Sequence, residues 1–352
     1  MGYPGSIHFG PGYFISGPWE ISEMKFMNIL LAATFFFGIA SPPAGAEEDK
    51  YKVEDKQAIV LAVFGTTVES GLTGLFNIRE RLEKKFPETP VRFAFTSNII
   101  RKTWQKRAKD PNYLNANPHI PDDIIHVQGP LATIANLQDA GYNMIVVQPT
   151  HITPAEEFLD LCSYVEALDS INTIKAKYKP FKKLVVGRPA LGNFGVKHPY
   201  AKDIMTAAEA LADDAALARR ENAALVYMGH GNEHYPSGGA YLELAARMRQ
   251  LYPDVQTYIG SVEGYPSFDD MFENISKNGI KKVILKPFMV VAGDHAKNDM
   301  IGSTEDSWKS KLEKRGIEVI PVIRGLGEED KFAEIFVRNA VEAAEDAGIE
   351  LK

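Results

Sequence analysis

Ile59-Val60-Leu61-Ala62-Val63-Phe64-Gly65 is an unbroken apolar run that stops at a glycine. A strand with one wet face would alternate; a continuous run suits a strand covered on both faces of a parallel sheet. After it, Leu72, Leu75, Phe76, Ile78, Leu82 and Phe86 recur at near-helical spacing, so Leu72–Phe86 reads as a helix. Val91–Phe95 reads as a second strand, and Ile145–Val147 as another that ends at Pro149-Thr150-His151. Strands alternating with helices predict an α/β fold built on a parallel sheet.

The same order then recurs. Ile59–Gly65 resembles Leu225–Gly229 with its lead-in, and Gly71–Pro87 resembles Gly238–Pro253. Val91–Ser97 aligns with Val255–Ser261, and Val146–Pro149 with Ile284–Pro287. The expected architecture is therefore two similar α/β domains, each a parallel β-sheet flanked by helices, facing each other across an inter-domain cleft. Residues 47–190 would form the first and 191–352 the second, with the Gly-, Pro- and Asn-containing stretch Gly187–Tyr200 as linker. Ile204–Arg219 reads as an Ala-rich helix, and Asp330–Ala347 as a terminal helix stopped at Gly348.

The 352 residues carry a formal charge of −7, which gives no electrostatic reason to expect nucleic acid as a partner. Met24-Lys25, the apolar stretch Phe26–Ile39 and the small-residue site Ala44-Gly45-Ala46 before Glu47 have the build of a secretory signal peptide. Residues 1–23 add nothing to that pattern, so Met24 reads as the initiator. Cleavage after Ala46 would leave a periplasmic chain with no stable membrane insertion, since the apolar run is short for a span. The single cysteine, Cys162, excludes an intramolecular disulfide and sits in the helix-like run Phe158–Val165 as core filler.

Chemistry concentrates at predicted strand ends in the second half. Ala223–Met228 runs into Gly229-His230-Gly231, Val255–Ile259 into Ser261-Val262-Glu263, and Val283–Val291 into Gly293-Asp294-His295. In a parallel sheet the carboxyl ends share one edge, where ligands bind. His230, Glu263 and His295 should therefore converge, and two imidazoles with a carboxylate suit a borderline divalent metal. At the matching places the first half has Thr66, a position near Ile99, and Glu157. It also offers His151, Glu156 and a basic run of Arg101, Lys102, Lys106, Arg107 and Lys109, which is either a solvated helix face or a hold for something anionic.

The segments Val226-Tyr227-Met228-Gly229-His230-Gly231-Asn232, Ser261-Val262-Glu263-Gly264-Tyr265-Pro266 and Pro287 to Met300, with Val63-Phe64-Gly65-Thr66-Thr67, resemble the anaerobic sirohydrochlorin cobaltochelatases. These are class II tetrapyrrole chelatases related in fold to ferrochelatase, and the resemblance runs over about residues 57–347. It implies insertion of Co2+, with Fe2+ as the other candidate metal, into sirohydrochlorin during cobalamin synthesis. His230 and His295 carry over as the catalytic histidines, and Glu263 as the acidic metal ligand. Arg101, Lys102 and His151 are the candidates for holding the acidic tetrapyrrole. The chemistry agrees: a neutral imidazole accepts a proton near pH 7, and His with Glu can release an ion that a thiolate pair would retain. An exported carrier of tetrapyrrole or metal with the same fold is the competing reading, and a solute-binding protein a third. Haem binding and assembly into a homo-oligomer are left open.

Overall fold

The computed structural model describes residues 54–352, so the expected leader and its cleavage site lie outside the described residues. Among the described residues, eight strands form two four-stranded parallel sheets. The first holds β1 (Gln57–Val63), β2 (Val91–Phe95), β3 (Met144–Pro149) and β4 (Lys183–Val186) in the order β2-β1-β3-β4. The second holds β5 (Ala224–Gly231), β6 (Thr257–Glu263), β7 (Lys282–Phe288) and β8 (Glu318–Pro321) in the order β6-β5-β7-β8. The two orders are the same, so the repeat read from spacing is also a repeat of topology, and the expected α/β fold of two helix-flanked parallel sheets is borne out.

Burial explains the apolar runs. Ala58 to Val63 in β1 are all fully buried, because parallel strands have helices on both faces. The helix Leu72–Lys85 buries Leu72, Leu75, Ile78 and Leu82 against this sheet. Its counterpart, Gly238–Leu251, buries Tyr241, Leu244, Ala245 and Met248. The edge strands β4 and β8 are only four residues long and partly exposed, which is why they leave little pattern in the sequence.

The Ala-rich segment departs from expectation. It forms two helices, Tyr200–Ala210 and Ala212–Arg220, that break at Leu211. Leu211 is fully buried at the break, and Asp214 in the next turn faces the core. There both Asp214 oxygens accept hydrogen bonds from Lys286 Nζ at 2.6 Å, and Tyr227 donates to Asp214 at the same distance. Lys286, from the middle of β7, also binds Glu329. Burial first, and then the nearby Asp214 charge, raises the Glu329 carboxyl above its usual range.

The terminal helix Asp330–Ala347 forms as read and ends at Gly348, whose φ of +62° is the left-handed stop that favours glycine. It serves both halves. Phe332 packs on Phe288 of the second sheet, with ring centroids 5.9 Å apart. Further along, Asn339 donates to the carbonyls of Arg188 and Pro189, each at 3.1 Å, beyond the end of β4.

Candidate active site

Strand order decides where a crevice opens. In the second sheet β5 has β6 on one side and β7 on the other, so the loops leaving β5 and β7 diverge and leave a gap at the carboxyl edge. His230 lies near the end of β5 and His295 follows β7. Their ring centroids are 4.9 Å apart, at an interplanar angle of 83°. Glu263 ends β6, in register with Gly231, and its Oε2 lies 3.9 Å from His230 Nδ1. Three residues from separate motifs thus meet at one edge. The two imidazoles form the close pair and Glu263 stands beside it more loosely; among the described residues no three such side chains are drawn into a closed metal-binding set.

Glycine makes this approach possible. Gly231 has φ of +78°, and a Cβ there would sit 1.8 Å from the carbonyl oxygen of Glu263. The Gly-His-Gly motif is therefore a spacing device as well as a source of imidazole.

One contact escaped the sequence reading. His295 Nδ1 lies 2.5 Å from Asp299 Oδ2. Asp299 belongs to Ala296–Met300, a single π-helical turn of the kind often found at functional sites. The only signal in the sequence was the four-residue spacing of His and Asp just after a strand end, which places both on one helix face.

The edge opens into a cleft of about 480 Å³ lined by both halves. Phe64, Thr66, Ile99, His151 and Glu157 come from the first half, and Tyr241, Met289, Val291, Asp294 and both histidines from the second. Phe64 and His230 face each other across it, with ring centroids 6.2 Å apart. Tyr241 is buried at the cleft wall, with the Gly231 main chain and the Thr153 side chain beside its hydroxyl. That burial pushes its hydroxyl up to about 12.

The basic run does not reach this lining. Among the described residues, no lysine or arginine lines the cleft. Arg101 instead binds the main-chain carbonyls of Phe95 and Thr96 and the Asn98 side chain, so it braces the end of β2. Arg107 donates to the Thr67 carbonyl at 2.8 Å and lies over the Trp104 ring. Lys102, Lys106 and Lys109 are exposed. Of the residues expected to hold carboxylates, Arg101 is thus used on the frame and Lys102 faces water outside the lining.

His151 does line the cleft, at the end of β3. Both of its ring nitrogens are buried without a hydrogen-bond partner, and burial lowers the imidazole to about 4. Cys162 is partly buried outside this lining; burial, then Glu166, raises its thiol to about 11, which does not suit a nucleophile.

The sequence profile of the family described as cobalt chelatase (CbiK) matches residues 57–345. A sirohydrochlorin cobaltochelatase, CbiKC, of Nitratidesulfovibrio vulgaris is 32% identical over 87% of this chain and 99% of its own length. A sirohydrochlorin cobaltochelatase of Salmonella typhimurium is 29% identical over 82% of this chain and 96% of its own. Among solved structures, the sirohydrochlorin chelatase SirB of Bacillus subtilis subspecies spizizenii, in complex with cobalt, covers 83% of this chain and 97% of its own at 12% identity and a TM-score of 0.49. The family profile spans both sheets and all three strand-end motifs, and the chain belongs to the cobalt chelatase (CbiK) family.

Proposed function

We propose that this chain inserts Co2+ into sirohydrochlorin, as an enzyme of tetrapyrrole metallation on the way to cobalamin. The observation that carries the reading is the His230–His295 pair, with Glu263 beside it, at the edge of a cleft that both halves line. Co2+ is here the substrate metal, and Fe2+ suits the same donors.

His230, Glu263 and His295 take the incoming ion by imidazole nitrogen and carboxylate oxygen. The macrocycle lies between apolar walls that include Phe64, Ile99, Met289 and Val291. As its nitrogens replace the protein ligands one by one, its pyrrole N–H protons leave. A histidine whose metal bond has just broken is a neutral base beside the departing proton, so His230 and His295 serve first as ligands and then as acceptors. With no lysine or arginine in the lining among the described residues, the ring's carboxylates project toward the mouth and solvent.

We also read the chain as exported, with residues 25–46 removed, and as two domains dividing near residue 190. Lys25, the apolar run Phe26–Ile39 and the small-residue site Ala44-Gly45-Ala46 support the first, and the matching strand orders support the second. Mass spectrometry of protein from its own host tests export: a mature N-terminus at Glu47 is expected, and a full-length product overturns it.

Turnover tests the activity. Many equivalents of cobalt-sirohydrochlorin per chain are expected, and near-complete loss in folded His230→Ala and His295→Ala. A single stoichiometric complex would mean a carrier, and wild-type rates in both variants would reject the site.

A further inference from the structure

We propose that His151 is the first half's contact to the core of the metal-free macrocycle, its neutral imidazole hydrogen-bonding the inner nitrogens and holding the ring for metal entry. The assignment rests on the chelatase reading above and adds a positioning residue to it.

The main chain, not the side chain, fixes where His151 stands. Thr150 N–H donates to Ala62 at 2.9 Å, and Ala190 N–H donates to the His151 carbonyl at 2.9 Å. The residue follows β3, whose neighbours β1 and β4 repeat the arrangement of β5, β7 and β8. It therefore occupies the first sheet's own crevice, as the histidine pair occupies the second's. The ring lines the shared cleft, yet both nitrogens are buried with no partner. Every neutral imidazole carries one N–H and one lone pair, and leaving both unpaired inside a protein costs free energy. The ring's accessible edge borders the cleft, so a turn of the imidazole would carry a nitrogen to a ligand there, which supplies a missing partner.

The surroundings say what kind of partner fits. A carboxylate is disfavoured, because Glu157 shares the lining and no lysine or arginine offsets it. A metal ion held by the first half is disfavoured, because that half adds only one carboxylate, Glu157, to the lining beside His151. A free-base tetrapyrrole core is neutral and presents both N–H donors and bare nitrogen acceptors, the complement of a neutral imidazole. Burial keeps His151 uncharged, so it does not repel the entering dication. Once the metal has taken the ring nitrogens, they have nothing left to share with His151. The hydrogen-bond contact therefore belongs to the metal-free ring and not to the product.

Absorbance titration of sirohydrochlorin and of cobalt-sirohydrochlorin into wild type, His151→Leu and His151→Gln tests this. The Leu variant should bind the metal-free ring about fivefold to tenfold more weakly, as for loss of one neutral hydrogen bond. Its affinity for the cobalt product and for Co2+ alone should not change, and its KM should rise more than its kcat falls. The Gln variant, which keeps a donor and an acceptor, should recover part of the loss. Equal weakening of both rings, or wild-type affinity for the metal-free ring in the Leu variant, overturns the assignment alone. A wild-type chain that binds neither ring overturns the chelatase reading and this assignment with it.

Discussion

The carboxylate of Asp299 approaches Nδ1 of His295 to 2.5 Å from one helical turn away. It selects the tautomer with the proton on Nδ1, which leaves the Nε2 lone pair for a metal and fixes the plane of the ring. Removing such an orienting group costs a metal site about 10–100-fold in affinity or activity. Asp299→Ala should therefore lose cobalt affinity or insertion rate on that scale, and Asp299→Asn should lose less. Cobalt titration and initial rates measure it; wild-type values in the Ala variant would remove Asp299 from the site.

Gly231→Ala should damage both stability and metal binding. The new methyl meets the Glu263 carbonyl oxygen in a backbone conformation that L side chains rarely adopt. The β5 and β6 ends must part, which carries Glu263 away from His230. A stability loss above about 1 kcal/mol is expected, seen in urea melts, with weaker Co2+ binding in the protein that still folds. A variant as stable as wild type would show that the edge gives way freely.

Arg101 and Lys102 should separate cleanly. Arg101→Ala strands carbonyls at the end of β2, and lost hydrogen bonds to a charged group cost about 1.5–3 kcal/mol. Lys102→Ala should change little, because the side chain is exposed. Neither should raise KM for the tetrapyrrole by itself. A KM increase in Lys102→Ala, with stability intact, would return the basic run to the substrate site.

His151 also predicts how acid affects stability. Its ordinary value of 6.5 falls to about 4 in the folded chain, so between those values the unfolded chain binds the extra proton. Stability contributed by the neutral ring is complete above pH 6.5, declines as pH falls toward 4, and is then level. At about 1.36 kcal/mol per pH unit the whole difference is worth at most about 3.4 kcal/mol. His151→Leu should flatten this part of the stability curve, measured by denaturant midpoints at stepped pH. An unchanged slope would mean that the imidazole takes up protons in the folded state.

Where regular patterns were long, the fold was legible in advance. Val91–Phe95 and Asp330–Ala347 form with the expected bounds, because each has a strong period and clear ends. The four-residue edge strands were not legible, since half-exposed segments have no apolar run to betray them. Nor was the break at Leu211, because helix propensity is local, whereas the inward turn of Asp214 answers to Lys286, 72 residues away.

The candidate site divides in the same way. His230, Glu263 and His295 were readable as one set because a parallel sheet brings all its strand ends to one edge, a rule that needs no coordinates. Tertiary structure alone decided the rest. It turned Arg101 onto main-chain carbonyls, paired His295 with Asp299, and enclosed both nitrogens of His151 without a partner. Sequence periodicity specifies which face of an element is apolar and where a strand ends; whether a polar side chain meets water, a carbonyl or nothing depends on chain that arrives from elsewhere in the fold.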